Sequence, residues 1–396
     1  MANISKDKWQ KLSKENKDKE QILRPSLTYW QDAWRRLKQN KFSMLGLVTI
    51  IFLSLMAAFA PMVISHDYKT QNLQLANIPA KIEIYKVDED SYVYVHKEYK
   101  LYNVTSKGEV LKRIREKKRD LTQNFNLYEL NGKTIKLDYR YARLKGDDNP
   151  DGIKFKLYVD DKEITESKRV RNKSYLFGTD SLGRDVLARV LYGARISLFI
   201  ALVATVVNFF IGVVYGGTSG YIGGKIDNMM MRIVDIISVI PLLLYVILLT
   251  VLIGTGLKSI IIAIGSVYWV GMARIVRGQV LSLKEQEYVL AARTLGASTT
   301  RIMFRHLIPN AMGPIIVAMT MMIPSAIFTE AFLSFIGLGV SPPVASWGTL
   351  ASDALTGLRS YPYQLFYPSA AISITMLAFN FLGDGLRDAL DPRLRK

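Results

Sequence analysis

The sequence predicts an all-α polytopic membrane protein with six transmembrane helices and a small extracytoplasmic β-containing insertion between helices 1 and 2. Three observations predict this fold class: six long apolar stretches, charges confined to the segments between them, and strand-like alternation in one of those segments. Hydrophobic residues make up 49% of the chain, yet the formal net charge is +18. Such an excess of positive charge first suggests a nucleic-acid-binding protein. The long uncharged stretches favour instead a membrane protein with no nucleic-acid partner.

The six apolar stretches have the length of membrane spans. A spanning helix needs about 20 mostly apolar residues to cross a hydrocarbon core of about 30 Å. The predicted spans are residues 42–65, 196–224, 236–257, 259–276, 311–329 with an extension toward 340, and 360–383 with a start near 365. The first stretch is too long for the apolar region of a signal peptide, so we predict an uncleaved anchor.

The distribution of Lys and Arg predicts the orientation. The N-terminal segment 1–41 carries eleven of them, whereas the short loops after spans three and five offer only Lys258 and Arg359. Because cytoplasmic flanks are enriched in Lys and Arg, the N-terminal segment and the tail, residues 384–396, are both predicted to be cytoplasmic. The insertion is also Lys-rich, but long loops escape this rule.

The insertion, residues 66–178, is predicted to fold as a small domain outside the membrane. Alternating apolar residues indicate strands at 82–87, 92–103, 134–144 and 153–159. The pair Asn131-Gly132 is typical of a hairpin turn, and the charged stretch 110–120 is predicted to be helical. A solvated, partly disordered loop is the alternative, although aromatic residues are frequent for such a loop.

The search for catalytic chemistry finds no signature. Cysteine is absent, and the three His residues are far apart in sequence, so neither a disulfide framework nor a His-built metal site is predicted. Gly224-Lys225 fails the phosphate-loop pattern, because Ser219 precedes it where Gly is needed and Ile226 follows the Lys. We therefore predict no catalytic, cofactor or metal site, and no nucleotide hydrolysis by the chain itself.

The segment 281–310 between spans four and five carries the most information about function. We predict a helix over 284–295, ended by Gly296 in a left-handed cap, and a second helix capped by Ser298 or Thr299. Pro309 marks the entry into span five. Two alternatives are a DNA-reading helix-turn-helix and a pair of amphipathic helices lying passively on the lipid headgroups.

This segment resembles the EAA loop of ABC importer permeases, which docks into the ATPase subunit. Ala291, Ala292, Gly296 and Pro309 keep the register of the family pattern, while Leu290 stands where the family has Glu. Glu287 lies one turn earlier, a variant similar to the peptide/nickel branch. The resemblance assigns ATPase coupling to a set of seven residues: Glu287, Ala291, Ala292, Arg293, Leu295, Gly296 and Pro309. We expect most of Glu287, Ala291, Ala292 and Leu295 to share one face of the helix, because they are spaced by three and four residues.

Three further stretches, 177–198, 331–349 and 380–395, resemble the OppC/DppC type of peptide permease. The resemblance covers 177–396 closely and 25–65 loosely, whereas the insertion matches no named domain and is longer than usual for the type. It implies the type I ABC importer permease fold in a bacterial plasma membrane, and oligopeptide import. Dipeptides, nickel or another small solute are alternatives, and so is a membrane-anchored receptor or scaffold acting through the insertion.

The resemblance also implies a set of partners. These are a homologous OppB-like permease, two ABC ATPase subunits of the OppD/OppF type, an OppA-like peptide-binding protein, and membrane lipid. No cofactor is expected in this subunit, because ATP and Mg would be bound by the partner ATPases.

Polar residues and a proline within the spans are candidates for a pathway or gate. Ionisable residues in membranes usually face a bundle interior or an aqueous cavity, so Glu330 is a candidate, with an ion pair to a neighbouring helix as its alternative. Pro241 is predicted to kink span three, and Asn208 is predicted to hydrogen-bond between helices. Asp235, at the inner end of span three, is predicted to form an interfacial salt bridge.

Overall fold

The computed structural model describes residues 28–64, 66–143 and 152–391. Most of the predicted N-terminal segment, residues 1–27, lies outside the described residues. The same holds for the last residues of the predicted tail, 392–396, and for Leu144 at the end of one predicted strand.

The helices follow the apolar stretches. They are α1 (Tyr29–Gln39), α2 (Lys41–Val63), α3 (Val186–Ile222), α4 (Gly224–Val239), α5 (Leu242–Ile253), α6 (Leu257–Val267), α7 (Trp269–Leu283), α8 (Glu287–Thr294), α9 (Thr299–Ile302), α10 (Ile308–Phe335), α11 (Trp347–Ala354) and α12 (Tyr363–Leu390). The last helix continues seven residues past the predicted end of the span at 383, so much of the predicted tail is helical.

Among the described residues, five helices are long and apolar enough to cross a membrane, with α6 and α7 counted as one. A sixth crossing results if α4 and α5 form one span, although their axes are bent by 82°. The break falls at Ile240-Pro241, because Ile240 is extended and Pro241 has no N–H to continue the helix. The predicted kink at Pro241 is confirmed, while the predicted bounds 236–257 are wrong, since helix α4 already begins at Gly224.

Close contact between α3 and α7 organises the inner half of the bundle. Gly212, Gly216 and Gly220 recur every four residues along one face of α3, and a Cβ at Gly212 or Gly216 would collide with α7 at Met272 or Ala273. Small residues at this spacing let two backbones approach closely without lipid between them. The two helices therefore form one rigid unit.

The insertion is a module of two five-stranded antiparallel sheets. The strands are β1 (Lys81–Lys86), β2 (Tyr92–Val95), β3 (Leu101–Val104), β4 (Val110–Arg113), β5 (Glu116–Asp120), β6 (Phe125–Leu130), β7 (Lys133–Asp138), β8 (Lys156–Val159), β9 (Lys162–Ile164) and β10 (Ser167–Arg171). Sheet A has the order β10-β1-β2-β3-β4 and sheet B the order β5-β6-β7-β8-β9. The sheets enclose one apolar core, which includes Val93, Leu101, Ile135, Leu137 and Leu157.

The module confirms some sequence predictions and corrects others. Asn131 and Gly132 have φ of 52° and 79° and join β6 to β7, so the predicted hairpin is confirmed. The predicted helix 110–120 is wrong. Its residues form edge strands β4 and β5, whose backbones pair with β3 and β6. Their exposed, charge-rich side chains lack the alternation of a half-buried strand, and that is why the pattern failed.

Aromatic and polar contacts attach the module to the end of the bundle where α3 and α12 begin. The His96 ring stacks on Tyr361 with centroids 5.8 Å apart. Gln364, in the first turn of α12, donates to the Asn77 side chain at 2.9 Å and to the Thr179 carbonyl at 3.0 Å. These contacts fix the module to the start of α12 and to the segment that leads into α3.

Candidate functional site

Helix α8 is a short helix whose end is set by glycine. The Gly296 N–H donates to the Arg293 carbonyl at 3.0 Å, and the Ala297 N–H donates to the Ala292 carbonyl at 3.0 Å. This pair of bonds is a Schellman cap, which needs a left-handed residue after the helix. Gly296 has φ of +76° and no atom within 4 Å of where a Cβ would lie. The predicted left-handed cap is confirmed, and its requirement is purely conformational.

The next helix begins as predicted and leads without a break into α10. The Ser298 side chain accepts the Arg301 N–H at 3.3 Å, so Ser298 is the cap. One wide π-helical turn, Met303–Leu307, joins α9 to α10, in which Pro309 occupies the first turn. A displacement of α8 and α9 would therefore act directly on a membrane-spanning helix.

The inner side of α8 is packed onto the bundle. Val289 and Ile302 are buried in a cluster with Val280 of α7, Val213 of α3 and Ile315 of α10. Ala292 is half-buried and packs against the same cluster. Three spans therefore share one apolar core with this helix, so that α8 has a rigid base.

Helix α8, its C-terminal cap and the π-helical turn carry exposed apolar side chains. We define the inner apolar surface as four of them: Tyr288, Leu290, Leu295 and Phe304. Leu295 is 87% exposed and Phe304 58% exposed. Three charged residues of the same segment, Glu287, Arg293 and Arg305, are exposed as well. Exposed apolar side chains concentrated in so short a segment are typical of an interaction site.

The predicted coupling face needs one correction. Glu287, Ala291 and Leu295 are exposed together, but Ala292 turns toward the core. A helix advances 100° per residue, so Ala292 lies about 100° around the helix from Ala291. Ala292 therefore sets how closely α8 approaches its own bundle.

Polar contacts tie this region to the ends of neighbouring helices. Asp227 of α4 accepts two bonds from the Arg277 guanidinium of α7, both at 2.6 Å. Lys284 donates to the Gly220 carbonyl at 3.1 Å, and the Arg293 guanidinium lies 5.7 Å from the ring centroid of Tyr221. The last residues of α3 are thus in contact with both flanks of α8.

Glu330 lies in a closed cluster of serine hydroxyls. Its side chain is 0% exposed, and it accepts hydrogen bonds from Ser197 of α3 at 2.8 Å and from Ser334 at 2.7 Å. Ser346, which caps α11, lies 3.3 Å from the Ser334 hydroxyl. Among the described residues no Lys or Arg pairs with Glu330. The ion pair predicted as the alternative is therefore not formed in this conformation. An aqueous pathway would reach Glu330 only if the cluster opened, and a gate role stays a prediction.

The other two candidates are placed differently. Asn208 is buried in α3, and neither side-chain polar atom has a hydrogen-bond partner in the described part of the chain. The predicted hydrogen bond to another helix is not formed within the described residues and stays a prediction. Pro241 marks the broken helix, and nearby Asp235 pairs with Arg274 at 2.9 Å, as expected of an interfacial salt bridge.

One cluster escaped the sequence prediction. Asp180 accepts from Arg184 and Arg189, each at 2.7 Å, and Asp353 of α11 lies 3.5 Å from Arg189. This cluster of charges joins the start of α3 to α11, a helix that the apolar pattern of the sequence did not predict. The spacing D-x-x-x-R-x-x-x-x-R in 180–189 is the signal that could have found it, because it brings three charges to one helix start.

Comparisons with known proteins agree with this architecture. Residues 210–396 match the family described as binding-protein-dependent transport system inner membrane component. Residues 28–80 match the N-terminal transmembrane domain of oligopeptide transport permease C. The MetNI methionine ABC transporter, a solved structure, is similar at a TM-score of 0.41 and 22% identity, covering 52% of this chain and 97% of that chain.

Curated relatives extend over the whole chain. The oligopeptide transport system permease protein OppC of Bacillus subtilis is 42% identical over 396 residues, 100% of both chains. The dipeptide permease DppC of the same species is 42% identical over 392 residues, 98% of this chain and 94% of the relative. OppC of Escherichia coli K12 is 48% identical over 221 residues, 56% of this chain and 73% of the relative. The two Bacillus matches include the β module, which is therefore not peculiar to this chain.

The bundle, its apolar spans and the packed helix α8 define a helical polytopic membrane protein of the transport class. The chain belongs to the inner membrane components of binding-protein-dependent transport systems, as an OppC/DppC-like ABC permease.

Proposed function

We propose that this chain is the permease subunit of an ATP-driven importer of peptides, with oligopeptides as its main substrates. The observation that carries the proposal is the inner apolar surface, built on a helix that shares its core with three spans. Leucine and aromatic side chains at this exposure are suited to a groove in a partner. The relatives named for oligopeptide and dipeptide transport supply the substrate class, and they are equally similar to this chain.

In this proposal the chain does no chemistry of its own. Two partner ATPases bind ATP and Mg and hydrolyse the nucleotide, and closure of the ATPases moves α8. Because α9 continues into α10, a rigid displacement of the short helices passes into the spans. A homologous permease completes the pathway, and a peptide-binding protein delivers substrate at the opposite end.

The proposed topology has six spans, with α4 and α5 counted as one broken crossing. Both termini and α8 lie in the cytoplasm of a bacterial cell, and the β module lies outside. The Lys and Arg residues of segment 281–310 support this orientation, because short cytoplasmic segments are enriched in them. The position of the module at the other end of the bundle from α8 supports it as well.

The sharpest test places a charge in the inner apolar surface. Leu295→Asp should lower peptide uptake by roughly tenfold or more, because a buried interface anchor typically contributes at least about 1–2 kcal/mol to binding. ATP hydrolysis by the complex should lose its stimulation by peptide-loaded binding protein. Uptake of labelled peptide and ATPase activity are measured in proteoliposomes containing the full complex.

A matched control uses the module. Leu121 is 67% exposed on the β module, and Leu121→Asp makes the same chemical change at the other end of the molecule. Uptake by that variant should stay near the wild-type level. A single Cys at position 295, in a chain with no native Cys, should crosslink to an ATPase subunit. Normal uptake by Leu295→Asp together with no such crosslink would show that α8 does not couple.

A further inference from the structure

The β module carries a dense group of positive charges where sheet A passes into sheet B. We define the basic corner as the six cations within residues 112–119: Lys112, Arg113, Arg115, Lys117, Lys118 and Arg119. Glu116 is the one acidic residue among them. Lys117 pairs with Glu129 at 2.7 Å and Arg113 with Glu116 at 3.7 Å. The other four cations have no ion pair among the described residues, so the corner keeps a strong positive charge.

The corner encloses an open cavity of about 460 Å³. Its lining consists of Gln74, Lys112, Arg113, Arg115 and Glu116. The cavity therefore has three cations, one amide and a single carboxylate that already pairs with Arg113. Two of the cations are guanidinium groups, whose fork of donors suits the oxygens of a phosphate.

The cavity lies on the side of the module that faces the spans. Gln74 belongs to a segment between sheet A and the bundle, and its carbonyl accepts from the Tyr102 hydroxyl at 2.8 Å. Two residues earlier, the Asn72 N–H donates to the Leu182 carbonyl at 3.1 Å, just before α3 begins. Sheet B packs on the opposite face of sheet A, so Gln74 and the cavity are close to the start of α3.

One contact between α2 and α3 indicates how far the first residue of α3 lies beyond the end of α2. Arg195, nine residues into α3, donates to the Ala58 carbonyl at 2.6 Å, five residues before α2 ends. With a rise of 1.5 Å per residue, and because the Arg195 side chain leans toward the start of its own helix, α3 begins at most about 6 Å beyond the end of α2. A headgroup layer is about 5–8 Å deep on each side of the hydrocarbon core. The segment with Gln74 therefore lies within the depth of the headgroup layer.

Exposed leucines accompany the cations at this edge. Leu73, beside Gln74, is 67% exposed, and Leu111, beside Lys112, is 56% exposed. Leucine side chains next to Lys and Arg are typical of protein surfaces that contact the boundary between headgroups and acyl chains. Edge strands also use Lys to prevent pairing with other sheets, but that role does not need arginines around a cavity or leucines beside it.

We propose that the basic corner binds the phosphate groups of anionic phospholipids in the outer leaflet. Arg113, Arg115 and Lys112 hold the headgroup in the cavity, and Leu73 and Leu111 contact the bilayer surface. The proposal rests on the proposed function in taking the bundle to span a membrane with the module outside. It assigns the module a role in fixing the height and tilt of the permease in the bilayer.

The test uses the full importer complex in nanodiscs of phosphatidylcholine, alone or mixed with phosphatidylglycerol. A fluorescent dye is attached to Leu111→Cys, and a trace lipid carries a nitroxide quencher on its headgroup. Quenching should rise with the phosphatidylglycerol content and fall with added salt, because salt screens exposed charges. In the triple variant Lys112→Glu/Arg113→Glu/Arg115→Glu, the apparent affinity for phosphatidylglycerol, measured from the rise of quenching with its content, should fall by roughly tenfold or more. Each cation near an anionic surface contributes about fivefold to that affinity.

A matched variant separates local binding from net charge. Lys136, Lys154 and Lys162 belong to the sheet B half of the module and are absent from the lining of the cavity. Reversing these three gives the same net charge and should leave the quenching unchanged. If the triple Glu variant of the corner misfolds, its Gln counterpart and the salt dependence of the wild type test the proposal instead.

Three outcomes overturn the proposal. The first is quenching that does not depend on phosphatidylglycerol in the wild type. The second is an equal response of the corner and control variants. The third is a dye signal that responds to added binding protein and not to lipid, which would assign the corner to an acidic protein surface. The readout needs no transport, so loss of uptake with normal quenching contradicts only the proposed function.

Discussion

The two ends of the helical bundle differ in whether the chain covers them. At the end that carries the β module, the chain covers its own helices: His96 stacks on Tyr361, and Gln364 donates hydrogen bonds to Asn77 and Thr179. At the end that carries α8, Leu295 and Phe304 remain exposed at the ends of short helices that pack against three spans. The end with the β module is thus closed by intramolecular contacts, whereas the end with α8 presents a firm apolar surface that no described residue covers.

The difference means that some residues are needed for contacts within the chain, and others for contact with another protein. A contact within the chain can be broken by a single substitution and measured as lost stability. A surface for another protein can be altered with little loss of stability, and the effect then appears in coupling. Substitutions inside the chain should therefore change stability most, and substitutions on the surface should change coupling.

The largest effect is expected where the base of the inner surface is packed most closely. In Gly216→Ala the new Cβ would collide with the Ala273 backbone of α7, and a backbone atom cannot swing aside. Overpacking of this kind costs typically about 1–3 kcal/mol, so the melting temperature and the yield of monodisperse complex should both fall. Gly278→Ala is the matched control on α7, because nothing lies within 4 Å of its Cβ position. Equal stability of the two variants would contradict the close packing.

An intermediate effect is expected at the cap of α8. Gly296→Val places a β-branched residue at φ of +76°, and the left-handed conformation costs roughly 1–2 kcal/mol for a residue with a Cβ. Peptide uptake should fall severalfold while the complex still assembles, because the strain misdirects α9. Gly296→Asn should retain more uptake, since Asn tolerates this conformation. If Val and Asn behave alike in the uptake assay, the cap geometry is not what matters.

The smallest effect is a pH dependence at the outer end. Burial lowers the pKa of His96 below its ordinary value of 6.5, although its bond to the Asn77 carbonyl acts in the opposite direction. The neutral ring is the one that fits, because Nδ1 accepts the Glu98 N–H at 3.2 Å. The folded module therefore binds a proton less readily than the unfolded one. The stability from neutral His96 is present above pH 6.5 and is lost as pH falls from there through the lowered pKa.

Hydrogen exchange of residues 96–100 in the full chain measures this effect. Protection should be constant from pH 8 to about 7, after correction for intrinsic exchange, and should decline below about pH 6.5. His96→Phe keeps an aromatic ring against Tyr361 but cannot titrate, so its protection should not change over the same range. The same decline in both proteins would assign it to another group.

Several parts of the fold could be predicted from the sequence because they depend on local patterns. The length of the apolar stretches predicts the spans, the pair Asn131-Gly132 predicts the hairpin between β6 and β7, and Gly296 predicts the C-terminal cap of α8. Edge strands β4 and β5 could not be predicted, since their charged side chains follow no period and their pairing partners lie elsewhere in the chain. The direction of Ala292 depends on where α8 packs, which the spacing of residues alone does not determine.

The candidate sites show the same limit. The sequence indicates that Glu330 is an unusual residue in a span, but Ser197 is 133 positions away and Ser346 belongs to an unpredicted helix start. Such a cluster exists only after three elements have packed. The contacts of His96 with Tyr361 are equally invisible, because they join two segments separated by more than half the length of the chain.

The length of α3 gives the molecule a mechanical property. This helix has 37 residues without a break, so it forms a rod of about 55 Å. One end begins at the seat of the β module, and the other reaches Tyr221, beside Arg293 of α8. A tilt of only about 5° about one end would carry the other end through roughly 5 Å, one turn of helix. A lever of this length turns a small rotation at the seat of the module into a stroke as long as a helical turn beside α8.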